Sequence, residues 1–504
     1  GREVFGNIPP VLEAVFYVAT AAALGLVFWL FSLRARNWQR GASEDRTGLM
    51  RERLAELSRG MRMQTLLEDR AAGLMHAFIY YGFIVLFLGT VTLEIDHLLP
   101  EQLKFLEGGF YKGYSFVLDL AGLVFLVGLG WAFVRRYLQK PWRLKAKTKP
   151  EDAWILLTLT LIGVTGLLTE GARIAWMGTP DFEVWSFIGY PLSFLFTESG
   201  AEGWHRLFWV GHAASFVAFL VLLPTTKLRH MVTSPVNMYL SPKDRPKGAM
   251  KPMPNLMETD LESFGASVVE ELTWKQLFDT DACTVCGRCT SVCPANTTGK
   301  ALDPREIVMK VGEVSSATGT PPVSTPVSLA AGTSVTADSL FERITTDELY
   351  SCTTCRACDE ICPVDIEILD KILDMRRYKT LMESDFPTEL GKAYMSLENQ
   401  GNPWGMAQSA RADWAKDLPI HVPILGEDKE RAEYLYWVGC AGSFDDRNVA
   451  VTKSVATLLD AAGVDYAILG PKEGCTGDPA RRSGNEYLFQ MAAFENIETL
   501  NSHE

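Results

Sequence analysis

The apolar positions of this chain fall into two regimes. Up to about residue 240 they form long unbroken runs, and beyond it they are short and interleaved with charge. Five runs, roughly 10–33, 72–98, 114–134, 153–176 and 204–225, reach the length of about 20 mostly apolar residues that a helix needs to cross a bilayer. The run 182–196, aromatic and carrying Pro191, reads as an interfacial segment between the fourth and fifth spans. The second regime reads as soluble and acidic. Residues 234–261 are rich in Pro and Met and predict a linker. Residues 314–338, dominated by Ser, Thr, Pro and Gly, predict an insertion loop. After a helical connector over 379–431, apolar Tyr434–Val438 and Tyr466–Leu469 predict strands flanking a helix over 448–462. That alternation predicts the start of an α/β domain. It has too few strands to close, so the chain is expected to be truncated at its C-terminus.

Charge orients the spans. Nine arginines (34, 36, 40, 46, 51, 53, 59, 62 and 70) follow the first run. Arg135, Arg136, Lys140, Arg143, Lys145, Lys147 and Lys149 follow the third, whereas 177–203 contains no Lys or Arg. Basic loops stay on the cytoplasmic side, so the N-terminus is expected outside and everything after the fifth span inside, in a bacterial inner membrane. The chain opens on Gly1, so its native start is expected upstream. The first run is too long for a signal peptide and has no small-residue cleavage site behind it.

Composition adds two exclusions. A net charge of −13 argues against a nucleic-acid partner. All 10 cysteines lie beyond residue 282, and eight are packed into two tight groups. A secreted disulfide framework would scatter them, so metal in a reducing compartment is expected. The groups are Cys283-x2-Cys286-x2-Cys289-x3-Cys293-Pro294 and Cys352-x2-Cys355-x2-Cys358-x3-Cys362-Pro363. Both match the bacterial ferredoxin run, in which the fourth cysteine serves the other cluster. Cys283, Cys286, Cys289 and Cys362 are therefore assigned to one [4Fe–4S] cluster, and Cys352, Cys355, Cys358 and Cys293 to a second. Structural zinc, the competing reading, prefers paired C-x2-C ligands.

Five of the seven histidines (76, 97, 205, 212 and 230) lie in or beside the spans. Treated as one helix, His212 and His230 are five turns apart on one face, about 27 Å along the axis. His205, seven residues before His212, shares it. His76 and His97 stand at the inner and outer ends of the second span. Paired imidazoles at equal depth would hold haem b, His76 with His230 on the inner side and His212 with His97 on the outer, His205 being the alternative there. Inert interfacial histidines are the competing reading. Glu94, Asp119, Glu170 and Arg173 are ionisable groups in or near spans, and such groups are functional candidates. Glu170 and Arg173, one turn apart, can neutralise each other. Alternatively Arg173 contacts a haem propionate and Glu170 delivers a proton to quinone, with His205 a third candidate there.

The motif Trp209-Val210-Gly211-His212, then Leu223-Pro224, Lys227-Leu228-Arg229-His230 and Ser234-Pro235, resembles the gamma-type cytochrome b subunit of respiratory nitrate reductase. That resemblance implies an all-α five-helix haem bundle, two haems b and a quinone site, with His76, His212 and His230 as ligands. The position matching its second ligand on the second span falls near Leu86, which cannot ligate. Further on, Val438-Gly439-Cys440-Ala441-Gly442 and Cys475-Thr476-Gly477-Asp478-Pro479 resemble the first cysteine-rich repeat of heterodisulfide reductases, glycolate oxidase iron–sulfur subunits and lactate-utilisation proteins. In that family the usual element is Cys-Cys-Gly, and two repeats can hold a non-cubane [4Fe–4S] cluster. Here Thr476 replaces one cysteine, so Cys440 and Cys475 are either cluster ligands or buried structural cysteines. The order of parts is cytochrome-b-like domain (1–233), two-cluster ferredoxin module (262–378) and cysteine-rich repeat (432–504). It resembles the bacterial membrane-bound electron transfer flavoprotein:menaquinone oxidoreductases. The resemblance implies electrons entering from FAD-containing electron transfer flavoprotein on the cytoplasmic side and leaving to menaquinone, in acyl-CoA oxidation. A heterodisulfide reductase-like enzyme and a non-catalytic electron-carrying subunit are the alternatives.

Overall fold

The computed structural model describes residues 5–243, 245–246, 248–319 and 338–503. It is mostly helical. Five helices are long and apolar enough to cross a membrane: α1 (Pro10–Trp38), α3 (Arg70–Leu98), α4 (Gly108–Phe133, continuing in π-helical turns to Gln139), α5 (Pro150–Trp176) and α6 (Glu198–Thr225). Each extends a few residues past its apolar run into polar ends. A surface helix, α2 (Met50–Met61), lies between α1 and α3. Leu98, Phe194, Phe28 and Trp29 are exposed on the bundle, as expected of side chains that face lipid rather than water. Helices α3 and α4 approach closely because each offers glycine: a Cβ on Gly82 would sit 2.9 Å from Phe125 Cβ, and one on Gly128 2.9 Å from the Ile79 nitrogen.

The chain does not run straight from His212 to His230. Pro224 lacks the N–H that would continue the ladder. The helix ends at Thr225, and Thr226 is extended, its hydroxyl receiving the Leu228 N–H. A new helix, α7 (His230–Leu240), begins after a short 3-10 turn. The five-turn spacing read from the sequence therefore does not apply. α7 also occupies the first residues of the expected linker, so the extended chain starts only at Ser241.

The iron–sulfur module packs on one end of the bundle. It is built on α8 (Trp274–Ala282), α9 (Pro304–Thr318) and α10 (Ile368–Leu381) around a core that includes Leu277, Ile307, Val311, Leu349 and Ile372. The insertion loop expected over 314–338 begins inside α9, and its remainder falls mainly outside the described residues. After α11 (Thr388–Gln400), β1 (Tyr434–Leu435) and β2 (Tyr466–Ala467) pair in parallel, Tyr434 opposite Tyr466. Pro423–Leu425 adds to the other side of β2 through Leu425 N–H to Ile468 O at 2.8 Å. Helices α12 (Asp446–Ala461) and α13 (Glu486–Asn501) complete this last unit.

Module and bundle are clasped by charge. Asp281, at the end of α8, forms ion pairs with Arg34 of α1 (2.7 Å) and Arg229 (2.9 Å) and accepts from Trp38 Nε1 at 2.8 Å. Glu306 pairs with Lys147 at 2.6 Å. The chain beyond α1 runs across the module, where Ala42 exchanges backbone hydrogen bonds with Leu272 and Trp274.

Candidate redox centres at the bundle–module junction

A cavity of about 540 Å³ opens where the bundle meets the module. It is lined by apolar side chains such as Met75, Phe83, Leu156 and Met231 and by Arg135, Arg136, Arg143 and Lys147. His76, six residues into α3, and His230, at the start of α7, face it together, with ring centroids 6.3 Å apart and planes inclined at 56°. One iron held by two imidazoles, each nitrogen about 2 Å from the metal and about 1 Å from its ring centre, separates the centroids by about 6 Å. The residues fit the group. His230 turns Nδ1 to the Lys227 carbonyl at 2.6 Å, which orients the ring and leaves Nε2 for a metal. Burial holds His230 below its ordinary pKa and so in the neutral form that ligates. The arginines are shared with carboxylates, Arg135 and Arg143 with Asp69 and Arg136 with Asp152 at 2.7 Å.

The same cavity is lined by Thr284, Val285, Cys286, Pro363 and Val364, from the loops of the two cysteine runs. A second, smaller cavity is lined by Cys283, Cys286, Cys289 and Cys362 together. The fourth cysteine of each run is turned to the other. Cys362 has Cys286 and Cys283 as electrostatic neighbours, and Cys352 has Cys293 and Cys355. Burial in apolar surroundings pushes the thiol of Cys283 up to about 11. A bound metal reverses that preference by taking the thiolate. Four cysteines around one cavity, three of them from a single loop, fit a cubane. The loop is held tightly: Gly287 (φ +72°) lies where a Cβ would be 2.9 Å from Arg305 Nη1 and 3.2 Å from Arg143 Cβ. Arg288 donates to the carbonyls of Thr65 and Leu66. Beneath, Lys275, Lys371, Asp279 and Glu367 form a buried ion network that ties α8 to α10, with Lys275 2.7 Å from Asp279. None of these ionic residues carries a motif signal, although Asp281 stands two residues before the first cysteine.

The remaining histidines are less closely associated. His212 points Nδ1 at the Ile162 carbonyl (3.0 Å), and a Cβ on Gly166 would sit 3.2 Å from its Cε1. His97, at the far end of α3, lies edge-on to Phe5 at 5.1 Å. His205 stacks on Trp176 at 6.1 Å and is hydrogen-bonded to Asn7. Glu94 receives the Tyr17 hydroxyl at 2.7 Å. The ion pair of Arg173 goes to Glu183 (2.7 Å) from the segment after α5, rather than to Glu170.

In the last unit Cys440 and Cys475 are both buried in one small core. Arg411 reaches Cys440 Sγ at 2.9 Å and pairs with Glu473 at 2.9 Å. Glu473 in turn accepts from the Val438 and Gly439 N–H groups. This unit abuts the second cysteine run: Arg482 donates to Thr354 Oγ1 at 2.7 Å, and Arg376 bonds both the Arg482 and Cys352 carbonyls.

An apolar helical bundle joined to a module with two cysteine runs and to a cysteine-rich unit defines a membrane-associated iron–sulfur protein. Residues 49–244 match the nitrate reductase gamma subunit family, 279–366 the 4Fe-4S dicluster domain and 434–504 the cysteine-rich domain. The chain is 36% identical over 460 residues to the EtfAB:quinone oxidoreductase of Syntrophomonas wolfei, covering 86% of this chain and 63% of that one. It is 33% identical over 517 residues to the probable iron-sulfur-binding oxidoreductase FadF of Bacillus subtilis, covering 96% and 72%. A dihydromethanophenazine:CoB–CoM heterodisulfide reductase chain of Methanosarcina barkeri is 28% identical over 238 residues, covering 46% of this chain and 54% of that one. No solved structure matches the chain significantly. The chain belongs to the family of the EtfAB:quinone oxidoreductase and FadF, and it spans a little under two thirds of the first of these.

Proposed function

We propose that this protein passes electrons from reduced electron transfer flavoprotein, bound on the cytoplasmic side, through two [4Fe–4S] clusters and haem b to menaquinone, in acyl-CoA oxidation. One observation carries the reading. A single cavity is lined both by His76 and His230 and by the Cys286 loop, so a porphyrin and a cubane held there would be neighbours. The groups themselves would supply one-electron chemistry. The chain's residues do the rest. Cys283, Cys286, Cys289 and Cys362, and Cys352, Cys355, Cys358 and Cys293, are the ligands of the two cubanes. His76 and His230 ligate the inner haem, and Arg135, Arg136 and Arg143, shared with Asp69 and Asp152, face its propionates. His212 is the ligand of an outer haem, with His97 or His205 as partner. Asp281 and Arg34 keep module and bundle in register. Cys440 and Cys475, in the unit that meets the second cysteine run through Arg482, serve an additional non-cubane cluster.

The dithiol arrangement of Cys440 and Cys475 also favours a second reading, disulfide reduction, in keeping with the likeness to the Methanosarcina heterodisulfide reductase. Purified full-length protein mixed with reduced electron transfer flavoprotein and a menaquinone analogue separates the two. Quinol formation supports the first reading. No quinol with disulfide turnover replaces it by the second.

A further inference from the structure

The end of the bundle remote from the module holds ionisable groups that the proposed electron path does not use. Asp119 of α4 and Glu170 of α5 both lie inside apolar spans and are 1% and 7% exposed. The segment 181–193 folds back among the helix ends and meets them. Its Glu183 is matched by Arg173 at 2.7 Å and by the Tyr111 hydroxyl at 2.9 Å, so that charge is balanced. Ser186 donates to Glu170 Oε1 at 3.2 Å. The N–H groups of Ile188 and Gly189 donate to Asp119 Oδ2 at 2.6 and 3.1 Å.

Asp119 Oδ1 is different. It is buried and has no hydrogen-bond partner among the described residues, and the charge that acts on Asp119 is the carboxyl of Glu170. Ionised carboxylates are acceptors only, and two of them side by side in a low dielectric repel strongly. A proton held between them removes that repulsion. Gly189 makes the approach feasible: its N–H serves Asp119, while a Cβ there would lie 2.7 Å from Glu170 Cγ and 3.0 Å from Oε2. Glu170 is also one turn along α5 from Gly166, the residue packed on His212.

We propose that Asp119 and Glu170 form a proton-binding site, with one hydrogen ion shared between their carboxyls and exchanged with the remote side as the charge of the bundle changes. No bond other than O–H is made or broken. The singly protonated pair carries one negative charge, which the two N–H groups of Ile188 and Gly189, the Ser186 hydroxyl and the nearby Arg173 stabilise. Loading a second proton would offset negative charge added to the bundle, which in a low-dielectric interior is costly unless compensated. The shared proton stands independently of the proposed function. Only its exchange on reduction rests on that reading.

Infrared spectroscopy of the full-length protein in lipid nanodiscs tests both parts. The oxidised protein is expected to show a protonated-carboxyl C=O band that shifts in D2O and is lost in both Asp119→Asn and Glu170→Gln. In each variant an amide donates to the remaining carboxylate, so the fold is kept; unchanged iron content and circular dichroism check this. A wild type without such a band, or variants that keep it, overturns the site. So does sodium that co-purifies with wild type and is lost from both variants, since a cation would then replace the proton. A band that changes on dithionite reduction supports exchange, and a band constant through reduction overturns it.

Discussion

Replacing Asp281 by leucine is expected to loosen the seam between the iron–sulfur module and the bundle. The carboxylate answers two guanidiniums at once, Arg34 at 2.7 Å and Arg229 at 2.9 Å, and it fixes the Trp38 indole. Arg34 is only 4% exposed, and its other bond is to the Pro224 carbonyl. Leucine fills the space but leaves a buried cation without a counter-charge, a loss worth about 3–5 kcal/mol. Arg229 is more accessible and adds less. At about 1.4 kcal/mol per factor of ten, the open population of the seam should rise roughly 100-fold to several-thousand-fold. Hydrogen exchange of the Trp274–Ala282 amides in detergent-solubilised full-length protein reads this directly. The double variant Asp281→Leu/Arg34→Met should recover most of the protection, because it removes the stranded charge along with its partner. Protection in Asp281→Leu within about twofold of wild type would refute the reasoning, because it would mean that water reaches Arg34 and the pair is an ordinary surface contact.

The other expectations are these. His230→Ala and His76→Leu should each remove the inner haem, lowering the b-type pyridine haemochrome while leaving iron–sulfur iron in place; an unchanged haemochrome in both would end the pairing. Cys286→Ser should abolish the electron paramagnetic resonance signal of the cluster nearer the membrane, and Cys293→Ser that of the other. Both substitutions acting on one signal would show that the runs do not exchange their fourth ligands. Glu367, set among Lys275, Lys243, Arg46 and Lys371, is held well below the usual carboxylate range, the cations outweighing its burial. Its stabilisation is therefore full above its ordinary pKa of 4.5 and is lost as pH falls through the lower folded value. Thermal melts of Glu367→Gln should be lower than wild type at neutral pH and flatter in acid, and parallel melting curves against pH would contradict this.

Much of this architecture is written in short-range patterns. Five apolar runs of span length need no partner to be recognised, since length alone meets the bilayer's requirement that backbone polar groups be satisfied internally. The two cysteine runs are equally local, because one loop must present three thiolates to one cluster face. The break after α6 is legible too, in Pro224, yet a five-turn spacing of His212 and His230 holds only for an unbroken helix and so misplaces them.

What lay outside the sequence depends on residues far apart in the chain arriving at one point. Asp281 meets Arg34 across 247 positions, and Ile188 meets Asp119 across 69. A lone Asp before a cysteine run and a lone Asp inside an apolar run carry no sign of the partner each will find. Arg173 has Glu170 within one turn, yet it turns to Glu183, because the segment after α5 folds back and offers a fully buried carboxylate with a tyrosine already bound to it. Spacing along a helix is set by the backbone, and so the amino-acid order alone determined the spans and the cysteine loops. Which charges are desolvated together is set by how those helices pack, and that only the tertiary structure decided.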